Sequence, residues 1–295
     1  MASHFLEIFG FSLLVFASCV KGVPEDDVSF DQNYFSLWGL NHITRVDNDK
    51  GVQLLLDQYS GGGGFRSISD YGSGRFGIRM KLPEVNTSGI IISFYVCFYS
   101  SDNKFFFFGY RCILILTSAP DSYNPGSHDE IDFEFVAGGL QTNIFAGDSG
   151  NREERYHLWF DPRKGFHIYE ILWNPYMVFQ LRVFKNYKDK GLNYISNPMH
   201  TEASVWLADW AGTVDWNQGP FITSYRRFGI DGCASQNTSM NQECLSPDLP
   251  WNSQKDLSPR EQMMHQRFRE TNVVYDYCLD KERQQNHPEC QFPRK

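Results

Sequence analysis

The chain has 295 residues, with 27 Lys and Arg against 35 Asp and Glu, a formal net charge of −8. No basic run stands out, which argues against a nucleic-acid partner. Mean hydropathy is −0.43, and no apolar stretch reaches the roughly 18 residues a membrane span needs, so no membrane insertion is expected. The length suits one large domain or two smaller ones. Its 24 Gly, 25 Phe, 15 Tyr and 7 Trp suit a β-rich protein with an aromatic-lined cleft.

Residues 9–20 (FGFSLLVFASCV) form a short apolar run followed by small residues. That is the pattern of a secretory signal, with cleavage between Cys19 and Gly22, so residues 1–22 are expected to leave the mature chain. The run lacks the usual basic start: only His4 and Glu7 carry polar charge before it. Asn86-Thr87-Ser88 and Asn237-Thr238-Ser239 are glycosylation sequons, consistent with secretion.

From Phe30 to Asp231 the chain reads as short strands. Residues 52–59, 75–82, 89–95, 156–160, 165–173 and 181–185 are β-branched or aromatic, and Gly, Asn, Asp and Pro clusters separate them. The glycines at 61–64 read as a turn. No Lys-Ser/Thr and no helix pattern follow them, so they are not a phosphate cradle. Many short strands with regular turn signals predict a β-sandwich. After Cys233 the texture changes. Residues 257–277 open with Ser258-Pro259-Arg260-Glu261 and continue as a polar periodic stretch, a helix with Ser258 as N-cap and Pro259 at its first position.

Seven cysteines is an odd number for a secreted chain. Cys19 falls at the edge of the signal, and Cys97 and Cys112 fall in a segment discussed below. Cys233, Cys244, Cys278 and Cys290 remain. Local pairing, 233 with 244 and 278 with 290, is the simplest of three connectivities. Each bond closes a short loop and adds about 3 kcal/mol in the chain-entropy view. A small C-terminal subdomain stapled by disulfides fits this.

The run His128-Asp129-Glu130-Ile131-Asp132-Phe133-Glu134-Phe135 carries the chemistry. At the two-residue period of a strand, His128, Glu130, Asp132 and Glu134 share one face, and Asp129, Ile131, Phe133 and Phe135 the other. Three carboxylates in a row repel one another and raise at least one pKa. A Ca²⁺ site draws oxygen ligands from a loop, which strand spacing suits poorly, so no metal and no cofactor is expected. Retaining glycoside hydrolysis needs two carboxyl groups about 5–5.5 Å apart, one ionised and one protonated. Glu130 and Glu134 are roughly 13 Å apart at Cα on an ideal strand, so their long side chains must lean together. Asp132 is too short to reach as far and is placed to hold the protonation states of its neighbours apart.

This run resembles the active-site strand of the xyloglucan endotransglucosylase/hydrolases of plant cell walls, in glycoside hydrolase family 16. So do residues 140–162, the ILWNP that follows, SYRRFGIDGC (224–233), and YDYCLD with PEC (275–290), which resembles the C-terminal extension of that group. The resemblance implies an all-β fold, a curved two-sheet jelly-roll sandwich with a long open cleft, over residues 23–233. A disulfide-stapled extension containing a helix follows over 234–295. It implies Glu130 as nucleophile, Glu134 as acid/base and Asp132 as the assisting residue. Gln141, Thr142, Asn143, Arg152 and Glu153 match sugar-binding positions, Asp209, Trp210 and Gly212 an acceptor-side block, and Arg283 an arginine of the extension. Trp206 and Trp210 are expected to stack on sugar rings. The implied partners are xyloglucan donor and acceptor chains, and the implied setting is a secreted monomer in the cell wall and apoplast.

The sequence departs from that pattern in three places. Residues 96–115 (VCFYSSDNKFFFFGYRCILI) are extra, apolar and Phe-rich. Their in-frame length and leading Val, whose codon begins GT, fit a translated intron; the alternative is a hairpin insertion beside the cleft. The loop after Phe135 is short, and the stretch after Pro175 lacks several residues of a sheet hairpin. Leu207 stands where Asn is usual, and the block at 206–210 has one acidic residue fewer. Two other functions remain in view: a non-catalytic glucan-binding sandwich, and a retaining hydrolase of another β-glucan.

Overall fold

The computed structural model describes residues 28–59, 61–99, 128–235 and 242–294. The signal segment, Cys19, Cys112, Asn237 and residues 100–115 of the extra run lie outside them. Among the described residues no helix is long and apolar enough to cross a membrane.

Two antiparallel sheets of eight strands each form the sandwich. The first runs, edge to edge, β1 (Tyr34–Trp38), β4 (Gly63–Ser67), β13 (His200–Leu207), β6 (Ile90–Tyr99), β7 (His128–Val136), β8 (Gly139–Phe145), β9 (Glu154–Tyr156) and β16 (Val273–Asp276). The second runs β12 (Val183–Lys185), β11 (Met177–Phe179), β10 (His167–Trp173), β5 (Asp70–Lys81), β14 (Phe221–Arg226), β3 (Gly51–Leu56) and β2 (Ile43–Val46), with β15 (Ile230–Ser235) also paired to β5. The core lies between them. Phe94, Ile131, Phe133 and Phe135 from the first sheet meet Ile78, Met80, Tyr169, Ile171 and Tyr225 from the second. Phe30, Tyr34, Phe65 and Phe228 close one part of it with edge-to-face ring contacts at 5.1–6.1 Å.

Most of the expected strands are present, with three corrections. His157, Leu158, Trp159 and Phe160 are not in a strand; β9 ends at Tyr156. Their apolar residues are spent on ring packing instead: Trp159 and Phe160 meet at 5.0 Å, and Trp159 packs on Phe268 of the C-terminal helix. The glycines at 61–64 are only half turn, because Gly63 and Gly64 begin β4. A side chain at Gly64 would sit 2.4 Å from the Trp38 indole nitrogen, so the strand needs glycine there for close approach. Residues 57–59 lie past the end of β3.

The two shortened stretches close as tight hairpins. Val136 pairs directly with Gly139, and the two residues between them, Ala137 and Gly138, have φ of 49° and 80°. Positive φ at both central positions is the mark of a type I′ turn, whose twist suits a two-residue hairpin. After Pro175, β11 and β12 pair Met177 with Lys185 and Phe179 with Val183, leaving Gln180, Leu181 and Arg182 as the link. Val96, Cys97, Phe98 and Tyr99, the first residues of the extra run, continue β6 opposite Ile131, Glu130, Asp129 and His128.

The C-terminal region folds as the sequence implies. Cys233 pairs with Cys244 and Cys278 with Cys290. Helix Pro259–Asn272 is capped by Ser258, whose hydroxyl accepts from the Glu261 N–H while Glu261 accepts from the Ser258 N–H. β16 follows the helix and pairs with β9, so the extension supplies the last strand of the first sheet.

Candidate active site

Strand β7 is the central element of the site. Its odd residues face the core: Ile131, Phe133 and Phe135 pack there. Asp129 shares that face and is wholly buried. Its carboxylate accepts from the backbone N–H groups of Gly147, Ser196 and Asn197 and from the Asn197 amide. That many donors make a buried carboxylate tolerable and fix the start of β7 against two loops.

The even residues, His128, Glu130, Asp132 and Glu134, face away from the core and are buried nonetheless. His128 Nε2 lies 2.6 Å from Glu130 Oε2. Asp132, wedged between the two glutamates, hydrogen-bonds Glu130. Burial, then the charges of Glu130 and Glu134, push the Asp132 carboxyl well above the usual carboxylate range. Burial and the neighbouring carboxylates thus favour the protonated form of Asp132 beside Glu130. Glu134 accepts from Gln141 Nε2 at 3.0 Å. Its pKa is pushed up to about 7, chiefly by burial and partly by the charges of Glu130 and Glu153, against the lowering effect of the Gln141 amide. The row thus places three carboxyl groups in three settings: Glu130 beside His128 and Asp132, Asp132 with its protonated form favoured, and Glu134 with its pKa raised to about 7. Environments that separate neighbouring carboxyl groups in this way assign acid and base roles.

Register fixes what surrounds the row. Glu134 pairs with Gln141 and Asp132 with Asn143 across to β8; these two side chains share the catalytic face. Gln141 Oε1 in turn accepts from Arg155 Nε at 3.0 Å, and the Arg155 guanidinium lies 5.3 Å over the Tyr275 ring of β16. Glu153 comes close enough for its charge to act on Asp132 and Glu134. Arg283 Nη1 lies 3.6 Å from Glu153 Oε2, so the extension reaches the rim of the site.

Two of the expected sugar-binding residues are not on this face. Thr142 pairs with Phe133 on the core side and is fully buried. A strand that presents Gln141 and Asn143 to one side must turn Thr142 to the other. Arg152 is 4% exposed: its guanidinium binds Glu289 at 2.5 Å and the Ser149 and Ile144 carbonyls, which ties the extension to the sandwich. Asp209 and Trp210 are exposed in the turn of 3₁₀ helix after β13. Gly212 has φ of +118°, and a Cβ there would meet Ser88 Oγ at 2.2 Å. Trp206 is 7% exposed and packs with Trp38, Ile91 and Tyr95, so it is a packed ring and not an open platform; Trp210, 55% exposed, is open. Asn86 of the first sequon is exposed.

The sequence reading gave no role to His128, Arg155 or Tyr95. The alternation already placed His128 on the catalytic face. Arg155 reaches Gln141 only through the pairing of β8 with β9, which no local pattern announces.

The chain matches known proteins along most of its length. Residues 30–105 and 109–226 match the model of glycosyl hydrolases family 16, and residues 246–290 match that of the xyloglucan endo-transglycosylase C-terminus. Xyloglucan endotransglucosylase/hydrolase protein 3 of Arabidopsis thaliana is 39% identical over 288 residues, covering 90% of each chain. Xyloglucan endotransglucosylase/hydrolase protein 2 of the same plant is 36% identical over 308 residues and 97% of each chain. Xyloglucan endotransglucosylase protein 34 of Populus tremula x Populus tremuloides is 37% identical over 291 residues, covering 91% of this chain and 90% of that one. The chain belongs to glycosyl hydrolase family 16, within its xyloglucan endotransglucosylase/hydrolase group.

Proposed function

We propose that this protein cuts the β-1,4-glucan backbone of xyloglucan and rejoins it to a second chain through a covalent glycosyl-enzyme. The substrate class is taken from the relatives, which are named for xyloglucan transfer and hydrolysis. The chemistry rests on one observation: three carboxyl groups on one face of β7 sit in three different environments.

In this reading a Glu130 oxygen attacks the anomeric carbon. Glu134 gives its proton to the departing glycosidic oxygen, and the Glu130 ester holds the donor fragment. A hydroxyl at the end of an acceptor chain then attacks the same carbon and returns a proton to Glu134, now the base. Asp132 keeps its proton and donates a hydrogen bond to the Glu130 carboxylate until the ester forms, and His128 holds the other side of that carboxylate. Gln141, Asn143, Glu153 and Arg283 are placed to contact the sugars around the cleavage point, with Asp209, Trp210 and Gly212 on the acceptor side. Water is far more abundant than any acceptor, so transfer requires an acceptor held in place, where effective molarities reach roughly 10⁵ M or more.

The catalytic unit in this proposal is residues 23–233, and residues 234–295 extend the acceptor end of the site. The chain acts as a secreted monomer in the wall, its leader being residues 1–22. The test is a transfer assay with purified full-length protein, xyloglucan donor and a fluorescent xyloglucan oligosaccharide acceptor. Label in the polymer, lost in Glu130→Gln, is the expected result. New reducing ends without label assign a hydrolase. Neither product from a folded protein assigns a non-catalytic glucan binder.

A further inference from the structure

A second set of polar side chains stands on the catalytic face, on the β13 side of the carboxylate row. Tyr95 on β6 lies between Asp132 on β7 and Glu202 on β13, each its register partner. Glu202 is 6% exposed. Its Oε2 accepts from the Tyr95 hydroxyl at 2.6 Å, and its Oε1 lies 2.5 Å from His200 Nε2. His200 Nδ1 lies 3.5 Å from Asp70, which pairs with Arg66 at 2.8 Å. β13 thus repeats the arrangement of β7, where His128 and Glu130 are likewise two residues apart and meet at 2.6 Å. Cys97 on β6 lies 3.3 Å from His200 Nε2, but it is disulfide-bonded and offers this cluster no thiolate.

A phenol has one proton to give and lone pairs to accept with. Tyr95 is buried beside carboxylates, so it stays un-ionised. Where its proton points decides what it offers to the catalytic row. Pointed at Glu130, whose charge acts on the phenol, it would hydrogen-bond that carboxylate and blunt its nucleophilicity. Committed to Glu202, it leaves only an acceptor face toward the row, suited to a sugar hydroxyl.

We propose that Glu202 is a positioning residue for the transfer reaction: it takes the Tyr95 proton, keeps that proton off Glu130, and leaves the phenol lone pairs to accept from a sugar hydroxyl at the row. This rests on the reading of the row as the glycosyl-transfer site. A merely structural Glu202 would behave differently. Glu202→Gln takes the carboxylate from both Tyr95 and His200, so a lower melting temperature is expected in either case, whereas only the positioning role lowers kcat at an unchanged KM. If Glu202 positions Tyr95, the same change frees the phenol proton to turn toward the row, and turnover falls without loss of substrate binding.

The experiment uses the full-length protein and three variants: Glu202→Gln, Tyr95→Phe and both together. The expected result is a fall in kcat of about tenfold in each single variant, with KM within about twofold of the parent. The double variant falls no further, because both changes act through one hydrogen bond. A parental kcat in Glu202→Gln, or losses that multiply in the double variant, overturns the proposal. Carbon-13 tyrosine NMR gives a reading independent of turnover. The Tyr95 Cζ resonance, identified by its loss in Tyr95→Phe, is expected to move in Glu202→Gln. An unmoved resonance overturns the proposal whatever the activity. A parent protein that turns over no donor counts against the transfer reading, and the resonance then still decides whether Glu202 takes the phenol proton.

Discussion

Glu134 is a carboxyl group that folding makes harder to ionise. Its pKa rises from 4.5 in the free side chain to about 7 in the fold. Between those values the folded chain holds a proton that the unfolded chain has released. The stability this gives is fully present below pH 4.5 and is lost as pH rises through about 7. Glu134→Gln removes that slope. Relative to the parent, it should melt higher at pH 8 by the equivalent of about 1–3 kcal/mol and gain little at pH 4. Melting curves at the two pH values check this, and a gain independent of pH would assign the effect to packing. The same group must be protonated to act as the acid, so parental turnover should fall as pH rises through about 7. Glu130→Gln should form no glycosyl-enzyme with any donor. Glu134→Gln should still form it slowly from a donor with a good leaving group, which mass spectrometry of the trapped protein reads directly. A labelled protein from Glu130→Gln would remove Glu130 from the nucleophile role. The shared face of Glu130, Asp132 and Glu134 was legible from alternation along residues 128–135, whereas the roles proposed for them came from the family resemblance. Thr142 and Arg152 show where residue-by-residue likeness fails. The alternation of β8 already turned Thr142 inward, and Arg152 finds Glu289 at a sequence distance of 137 residues, which no local pattern reports.

The β7–β8 hairpin shows what an element must do for the site. Its two-residue turn fixes the pairing of Glu134 with Gln141, and a slip by one residue would rotate Gln141 away from the acid it contacts. Gly138 suits its φ of 80°, but Ala137 carries a Cβ at φ 49°, a conformation that costs an L-residue about 1–2 kcal/mol. Asn tolerates that region and Asn-Gly is the favoured pair for such turns. Ala137→Asn should therefore raise the melting temperature by about 2–4 °C for each kcal/mol of strain relieved in a chain of this size, with turnover unchanged. An unchanged or lower melting temperature would show that the turn is already relaxed. Strand positions were readable from β-branched and aromatic runs, but β8 at Gly139–Phe145 was not among them, since Gln141, Thr142 and Asn143 break the apolar pattern. Residues 157–160 misled for a physical reason: aromatic runs look alike whether they pair as a strand or pack against a helix, and here the helix at 259–272 captures Trp159.

At the scale of the molecule, the question is what joins the extension to the catalytic sheet. Glu154 on β9 is buried and accepts from the Tyr156 hydroxyl at 2.7 Å. It faces Arg269 of the helix, Arg294 near the C-terminus and Arg182 of the β11–β12 link. Asp276 on β16 shares Arg269 and Arg294 at 2.6 and 2.9 Å, and its carboxyl is held below the usual range despite its burial, chiefly by Arg294. Three guanidinium groups thus rest on two carboxylates, and each element contributing to the cluster comes from a different part of the chain. Composition and periodicity cannot reveal such a cluster, because its members are scattered over 154–294 and none is unusual alone. Replacing a whole buried ion network by apolar residues is often harmless, whereas removing one partner leaves an uncompensated charge and costs about 3–5 kcal/mol. Glu154→Gln should therefore lower the melting temperature by roughly 6–15 °C. The loss should fall first on the extension, since among the described residues β16 pairs with the sandwich through the edge strand β9. Limited proteolysis should then cut within residues 246–272 while the sandwich resists. Turnover should drop with that cleavage, because Tyr275 and Arg283 steady Arg155 and Glu153 beside the acid. A Glu154→Gln protein that melts with the parent would place the joint elsewhere, in the Arg152–Glu289 pair and the apolar contact of Leu257 and Trp251 with Leu172. In either case the extension reaches the carboxylate row through the edge of one sheet: β16 pairs with β9, Arg155 of β9 holds Gln141, and Gln141 holds Glu134.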